Sequence, residues 1–489
     1  MIGAVAYGRA LLCRACGRDV PLPTTHDSLA AWTCDVARVL GVEPAWFEHI
    51  AGPLNAAARA AIDHAATQPV EAAQELLPVY AEASTDRRSS GTFYTAHDVC
   101  DSVVSAVMAD VVHDGVEADD DSSAAIRRVL LSQRIIDPTC GSGALVHAAA
   151  RWIASTLMAN GMVRADATAA ALAAVHGVDL SVAAVEATRA VLFVWALEQG
   201  VSVRIASALV RPRVRAGDAL SPDWYSVGEY TCCIGNPPFV RASPAEAPPA
   251  IHTADAGNYS AWIAERCLEA VAPGGRVALI LPLSTICADA MESSRQQWEQ
   301  ACDEIRVRSF DCIPATLFPG VVQRIAILDG RRRLPDSAES CTWLTDGFRR
   351  WLHAERAQLF AAPAYVESSR SYVGGSLARI GSAIERDILE HVHQFPPARR
   401  LLMHREPARS AHLNNVDADT DIDQRNGFWY KRRWSYHLLL LDFVPAVITS
   451  SGAARHPSEF KRVGVRAGHD ARALLAIYAS SLFWWYFNA

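Results

Sequence analysis

Residues 135–143 read Ile135-Ile136-Asp137-Pro138-Thr139-Cys140-Gly141-Ser142-Gly143. An apolar pair here enters a turn that contains glycine, and Ala144 to Leu157 continues with apolar residues at helical spacing. Glycine lets the backbone approach a bound molecule closely because it has no side chain. The stretch therefore predicts a strand, a ligand-binding turn and a helix, which is the repeating unit of an α/β sheet.

Two later runs repeat this arrangement. Val175 to Asp179 is a second predicted strand that ends in an acid, and Val214 to Ala219 ends a third strand with Asp218. An acid after the second strand commonly accepts ribose hydroxyls, and Asp218 is placed to accept from an adenine amino group. Asp137 is a poor neighbour for a pyrophosphate, so the first turn suits a ligand with an amino group and no phosphate, such as the amino-acid part of S-adenosylmethionine. Each acid alone is more often a helix cap, but three in series favour a binding site.

A fourth predicted strand, Tyr230 to Cys233, runs into the sequence Ile234-Gly235-Asn236-Pro237-Pro238-Phe239-Val240-Arg241. Proline fixes φ and makes the preceding residue extended, which holds Asn236 at the carboxyl end of the strand. The Asn236 side-chain oxygen and the Pro237 carbonyl can accept the two hydrogens of an exocyclic amine. Phe239 can stack on the ring of a base taken out of the duplex. A proline-stopped strand with a capping asparagine is the alternative interpretation.

The segment Gly91-Thr92-Phe93-Tyr94-Thr95 precedes a predicted helix from Asp98 to Val112. Thr95 is expected in the N-cap region of that helix, where its hydroxyl and the free backbone donors can hold a carboxylate. A capped turn that binds nothing is the alternative. Asp114 to Ser123 is acidic and is predicted to be a solvated loop.

Composition limits the class of protein. A chain of 489 residues with 51% apolar and 20% charged residues is typical of a folded protein of two to four domains. The net charge of -7 argues against a uniformly basic nucleic-acid coat but allows a local basic face. We find no signal-peptide pattern and no run near the ~20 apolar residues of a membrane span, so we expect a cytoplasmic protein.

Metal chemistry is not favoured. The twelve cysteines are scattered and do not resemble a disulfide framework. Cys13 and Cys16, with His26 and Cys34 downstream, lack the second paired spacing of a zinc site, so ordinary packing is favoured there. Before Lys431 the chain has no lysine for a nuclease of the acid-acid-lysine type.

The region from Arg425 to Arg472 is locally basic. It contains nine cations against three acids, an excess of six, with aromatic residues between them. Basic residues neutralise phosphates and aromatic side chains stack on bases, so the region is a candidate DNA-binding face. An ordinary solvated surface over core aromatics is the alternative. The candidate contacts are Lys431, Arg432, Arg433, Lys461 and Arg462, together with Arg241 after the fourth strand.

Several further elements are expected from periodicity. Helices are predicted at Asn258 to Ala272 and Gln296 to Asp303, and a turn at Pro273 to Gly275. Strands are predicted at Arg276 to Leu283, Ile305 to Asp311 and Arg324 to Leu328.

These motifs together resemble the adenine-specific DNA methyltransferases of restriction-modification systems, in the single-chain branch that carries Asn-Pro-Pro-Phe/Tyr. The resemblance covers residues 91–330 well and the later part loosely, and Ala96 stands where the family usually has proline. The ending from Leu474 to Phe487 resembles a helix in the target-recognition domain of the same enzymes. It implies a Rossmann-like, doubly wound α/β methyltransferase sheet closed by an antiparallel strand. The expected divisions are an N-terminal helical region at 1–90, a catalytic domain at 91–330 and an α+β target-recognition domain, short or truncated, at 331–489.

The resemblance also implies roles for single residues. Asn236, Pro237, Pro238 and Phe239 would hold the target base for transfer of a methyl group to the N6 amine of adenine. The donor would be S-adenosylmethionine, with no metal, and the partners duplex DNA and a separate restriction nuclease or defence-system subunits. Methylation of protein glutamine, RNA or cytosine N4 stays open, as does a catalytically silent DNA-binding subunit. The residues implied around the donor are Tyr94, Thr95, Asp137, Thr139, Gly141, Gly143, Asp179 and Asp218.

Overall fold

The structure of the protein is a computed structural model, which describes most of the chain beyond residue 94. The described residues are 95–116, 122–318, 321–336, 340–361, 363–372, 375–402, 426–431, 438–443, 447–448, 450, 452, 454–455 and 460–488. The predicted helical region 1–90, the cysteines near the N-terminus, Tyr94, Arg432 and Arg433 lie outside them. The chain divides into two compact units, the first reaching residue 344 and including 351–363, the second comprising 345–350 and 364–489.

The first unit is built on one sheet with the strand order β3-β2-β1-β4-β5-β7-β6. Its strands are β1 Ile135–Asp137, β2 Val175–Asp179, β3 Val214–Ala216, β4 Tyr230–Gly235, β5 Val271–Pro282, β6 Cys302–Phe310 and β7 Ile325–Arg332. Neighbouring strands from β3 to β5 are parallel, whereas β7 runs antiparallel to both β5 and β6. The doubly wound sheet with an antiparallel closing strand, expected from the sequence, is therefore confirmed.

Helices connect these strands. They are α1 His97–Gly115, α2 Ser123–Leu131, α3 Ala144–Ala159, α4 Arg164–Ala174, α5 Val182–Glu198, α6 Val203–Arg213, α7 Tyr259–Ala270, α8 Ser284–Cys287 and α9 Glu292–Ala301. Residues 277–281 of β5 are fully buried. Because successive side chains of a strand point to opposite faces, the sheet must be covered on both faces. None of the described helices is both long enough and apolar enough to cross a bilayer.

Several predicted boundaries are corrected. Residue Asp114, expected in a loop, lies in α1, where its carboxylate accepts from Arg276 at 2.8 Å. Helix α2 was missed, and it is capped by the Ser122 hydroxyl. The predicted turn at Pro273 to Gly275 lies inside β5, although the pairing with β4 skips there from Val271 to Arg276. The helix expected at Gln296 to Asp303 ends earlier, and β6 begins at Cys302.

The second unit holds smaller elements. They are β8 Thr342–Arg349, which begins in the first unit, β9 Val366–Ser368, α10 Ala383–His393, β10 Gly427–Lys431, β11 Leu440–Leu441, β12 Val447–Ile448, β13 Ala454–Arg455, β14 Phe460–Gly464, α11 Ala471–Tyr478 and α12 Ser481–Asn488. Strand β10 pairs antiparallel with both β11 and β14. The single helix predicted from Leu474 to Phe487 is wrong, because the Ser480 hydroxyl accepts from the Phe483 amide at 3.1 Å and starts a new helix.

Candidate active site

The two sequence motifs meet at one edge of the sheet. Strands β1 and β4 are parallel neighbours with Ile136 opposite Cys233, so both strands end on the same side. A Cβ atom added to Gly235 would lie 3.5 Å from Asp137 Oδ1 and 3.7 Å from Thr139 Oγ1. The turn after β1 therefore lies directly against the start of the Asn-Pro-Pro-Phe segment.

Asn236 also contacts a distant part of the chain. Its Nδ2 donates a hydrogen bond to Thr95 Oγ1 at 3.0 Å, and Thr95 is buried. Thr95 is not the helix cap that the sequence predicted, since the N-cap of α1 is Ala96 and no side chain caps that end. The Thr95 hydroxyl instead joins the segment before α1 to the segment after β4.

The chain after Asn236 is held by backbone hydrogen bonds. Val240 O accepts from the Tyr259 amide at 3.0 Å, and the Ala242 amide donates to Gly257 O at 3.0 Å. Pro237 is buried, whereas Pro238 and Phe239 are half-buried, and Phe239 packs against the main core. Arg241 is exposed and pairs through its backbone with Asn258. Asn258 itself caps α7, because its Oδ1 accepts from the Ser260 amide.

Asp137 is a buried carboxylate at this edge. Its Oδ1 accepts from the Thr139 amide at 3.0 Å and from the Thr139 hydroxyl at 3.4 Å. Burial raises the pKa of Asp137 to about 7, against the lowering effect of the Thr139 amide, and the nearby Asp179 charge raises it further. A positive charge bound next to a carboxyl that is half ionised near neutral pH lowers its pKa and shifts it to the ionised form.

The glycines of the first turn have different functions. Gly141 has a φ of +54°, and no atom of the residues that the structure describes lies within 4 Å of where its Cβ would be. Gly143 has a φ of +93°, and its Cβ would lie 2.9 Å from Thr188 Cγ2. A side chain at this position would therefore clash with α5, so glycine is required for close packing. Thr188, which the sequence did not single out, donates its hydroxyl to Gly141 O at 2.8 Å and holds the turn.

The other two acids lie at the ends of the neighbouring strands. Asp179 Oδ2 accepts from the Gly141 amide at 2.9 Å and its Oδ1 from the Ser181 amide at 2.8 Å, and burial raises its pKa. Asp218 is exposed and its Oδ1 accepts from the Leu220 amide at 2.9 Å. The edge thus offers carboxylate acceptors and an open glycine turn, which fit an ammonium group and hydroxyls better than a phosphate.

A separate group of three possible metal ligands is engaged in hydrogen bonds within the protein. The ligand atoms of His252, Glu265 and Glu269 lie within 4.8 Å of one another. However, buried Glu265 accepts from the His252 amide at 2.8 Å and from the Thr253 amide at 2.9 Å. Glu269 accepts from Arg266 and from the Tyr225 hydroxyl. Glu265 therefore holds the loop before α7, and Glu269 joins α7 to Tyr225, so we assign no ion to them.

Three of the predicted DNA contacts, Lys431, Lys461 and Arg462, lie on the small sheet of the second unit. Trp429 pairs with Arg462, Tyr430 with Lys461, and Lys431 with Phe460. Paired residues share a face, and neighbours along a strand point to opposite faces. Lys431 and Arg462 therefore lie on the face of Trp429, and Lys461 lies on the other face with Tyr430.

Comparison with known proteins gives one family. The sequence model of the family described as N-6 DNA Methylase matches residues 73–328, more than half of the chain. Matching solved structures include the DrdV–DNA complex, with 12% identity over 64% of this chain and 34% of that chain and a TM-score of 0.44. The type IIG restriction endonuclease BpuSI matches with 18% identity over 71% of this chain and 38% of that chain and a TM-score of 0.40.

A third structure is the type I restriction enzyme EcoKI M protein, with 13% identity over 72% of this chain and 68% of that chain and a TM-score of 0.36. This chain spans only 34% of the length of the DrdV chain and 38% of the BpuSI chain. A search of curated proteins gave no match.

Proposed function

The chain belongs to the N-6 DNA methylase family, and from this we propose that it is a site-specific DNA methyltransferase acting on the N6 amine of adenine. The proposed donor is S-adenosylmethionine, and the proposed setting is a restriction-modification or related phage-defence system with a separate nuclease or other subunits. The observation that carries the proposal is the position of Asn236, which directly follows Gly235 at the end of β4, beside Asp137, and is bonded to Thr95.

Each part of the sheet edge has a proposed task toward the donor. Asp137 would bind the amino group, Asp179 the ribose hydroxyls and Asp218 the adenine amine, with the backbone of the turn around Gly141 bordering the ligand. Thr139 and Gly143 shape that turn, and Thr95, with Tyr94 before it, would meet the carboxylate. When bound, S-adenosylmethionine supplies a methyl group on a positively charged sulfur.

The target base would be held by the segment after β4. The Asn236 Oδ1 and the Pro237 carbonyl accept the two amine hydrogens, which favours a tetrahedral nitrogen with its lone pair directed outward. Pro238 keeps the segment stiff, and Phe239 stacks on the flipped ring. The residues act by position and polarity, because the methylated amine is a strong acid and loses its proton without a strong base.

DNA is the proposed macromolecular partner. Arg241 lies just after the catalytic segment, and Lys431, Arg432, Arg433, Lys461 and Arg462 would neutralise backbone phosphates. We propose 91–330 as the catalytic domain, 331–489 as the target-recognition domain and 1–90 as an N-terminal helical region.

The proposal is tested by the identity of the methylated product. We expect the protein, incubated with methyl-labelled S-adenosylmethionine and long unmethylated DNA of mixed sequence, to place the label in N6-methyladenine. The DNA is digested to nucleosides and separated by chromatography, with RNA and the protein itself counted in parallel. Label in N4-methylcytosine, RNA or protein would identify one of the other reactions, and its absence everywhere would indicate a silent subunit.

A second expectation concerns pH. Because the pKa of Asp137 lies at about 7 and a cation binds its ionised form, the affinity for S-adenosylhomocysteine should rise about tenfold between pH 6 and pH 8. Protonation at the lower pH removes the negative charge that the ligand ammonium needs. Calorimetric titration across this range measures the effect. Asp137→Asn should bind weakly with no rise, and an equal rise in that variant would assign the titration to another group.

A further inference from the structure

The orientation of the Asn236 side chain determines which of its two ends faces a substrate. An amide has one end that accepts hydrogen bonds and one that only donates them. Since Nδ2 points to Thr95 Oγ1 at 3.0 Å, Oδ1 is the end left for another group. A flipped amide would present its NH₂ group to the amine hydrogens of adenine. Both groups donate hydrogen bonds, so no bond could form between them.

The Thr95 hydroxyl has capacity for a second partner. A hydroxyl carries one proton to donate and two lone pairs to accept with. The bond from Asn236 uses a lone pair, so the proton remains for a neighbouring acceptor. If that proton goes to a carboxylate, the oxygen can only accept from Asn236, and the flipped amide becomes unfavourable.

Thr95 is held firmly enough for such a function. It is 6% exposed, and its carbonyl accepts from Cys100 Sγ at 3.6 Å in the first turns of α1. In the same turn Asp98 receives two bonds from Arg356, at 2.6 Å and 3.0 Å. Arg356 also donates to Leu317 O at 3.0 Å. The turn that carries Thr95 is therefore tied to a second segment of the first unit.

We propose that Thr95 is a positioning residue that selects the catalytic orientation of the Asn236 amide, and that a carboxylate bound at Thr95 locks that orientation. The two sites would be linked through one hydroxyl group, so that occupation of the donor site prepares the base site. The inference rests on the proposed methyl transfer and adds a role for Thr95 beyond contact with the donor.

The first test compares variants of Thr95. Thr95→Val keeps the shape but loses the hydroxyl, and we expect its single-turnover methyl transfer at saturating S-adenosylmethionine to fall about 30- to 100-fold, as expected for a misplaced group. Thr95→Ser keeps the hydroxyl and should stay within about threefold of wild type. Thr168→Val is the matched control, because Thr168 is also buried and its hydroxyl donates within α4, to Arg164 O.

The second test removes the need for orientation. In Asn236→Asp the two carboxylate oxygens are equivalent, so no flipped state exists. Thr95→Val should then cost less than about threefold in rate in the Asn236→Asp background. A loss of 30-fold or more in both backgrounds would overturn the proposal, because Thr95 would then act independently of the amide.

A binding measurement gives a readout besides activity. In Asn236→Asp the carboxylate takes the Thr95 proton, so calorimetry should show S-adenosylhomocysteine binding about tenfold weaker than in wild type. In the Thr95→Val background, Asn236→Asp should weaken binding less than about threefold. Equal weakening in both backgrounds would mean that charge alone is responsible, and would overturn the shared hydroxyl.

The failures of the two proposals are distinguishable. Transfer to adenine by the wild type, with Thr95→Val equal to it, would remove this inference and leave the proposed function intact. A wild type that methylates nothing would remove the function and this inference with it. Thermal melting of every variant checks folding, and Thr95→Ala replaces Thr95→Val if the latter melts early.

Discussion

Replacement of Asn236 by alanine is expected to lower the single-turnover rate of methyl transfer by about 10³-fold, the upper range for loss of one preorganised polar group. The variant loses the acceptor for the amine and the bond to Thr95. It leaves the bonds of Asp137 and Asp179 unchanged, since these run to Thr139, Gly141 and Ser181. The affinity for S-adenosylhomocysteine should therefore stay within about twofold of wild type.

Rapid-quench measurement of label in DNA gives the rate, and calorimetry gives the affinity. Asn160→Ala is a suitable control, because the Asn160 amide bonds only to Thr156 O at the end of α3, away from the sheet edge. Its rate should match the wild type. Undiminished transfer by Asn236→Ala would end the proposed catalytic role of this residue.

The second large effect is on stability. Arg276 of β5 is buried, with its guanidinium 2.8 Å from Asp114, 3.3 Å from Asp110 and 3.7 Å from Asp329. Arg276→Met fills a similar volume but leaves these carboxylates without their shared cation. We expect the free energy of unfolding to fall by about 3–5 kcal/mol, as when one member of a buried ion group is removed. Urea denaturation at pH 8 measures it.

The pH dependence of that loss follows from Asp329. Burial raises its pKa to about 6, and Arg276 opposes this, so the variant should have a still higher pKa. At pH 5 the folded protein carries Asp329 mostly protonated with or without Arg276. Asp329 therefore adds little to the loss of stability at that pH. As the pH rises past 6 the ionised form becomes more costly in the variant, so the loss should be larger at pH 8 than at pH 5.

Two variants separate this effect from a general loss of packing. Adding Asp329→Asn to Arg276→Met should restore part of the lost stability, since the buried charge is gone. Arg134→Met removes an exposed ion pair with Glu229 and should cost about 1 kcal/mol or less. A loss that is the same at both pH values would contradict the electrostatic account.

The sequence predicted the fold best where apolar runs are short and sharply bounded. The second strand was predicted with the bounds Val175–Asp179 that the structure has, because an acid ends the run. Helix α2 was missed since the acidic residues before Ser122 concealed a good cap. The C-terminal helix was expected unbroken from the family resemblance, whereas the break is made by a side-chain hydrogen bond.

The sequence names candidate site residues one by one, but it does not report the contacts between them. Each motif supplies its own candidate residues. Because β1 and β4 are parallel neighbours, their carboxyl ends bring Asp137 and Asn236 to one edge of the sheet. The bond between Asn236 and Thr95 joins positions 141 residues apart, which no local pattern reports. Thr188 was missed for the same reason, as its partner Gly141 is 47 residues away and a threonine inside a helix carries no signal.

The bonds from Arg356 to Asp98 bear on how the first unit is best produced alone. A fragment designed to stop at residue 344 would contain strands β1 to β7 yet omit 351–363. The first turn of α1, with Thr95 beside it, would then lose the two hydrogen bonds that the Arg356 guanidinium donates to Asp98. Cloning boundaries for the first unit should therefore run past residue 363, even though the intervening 345–350 belong to the other unit.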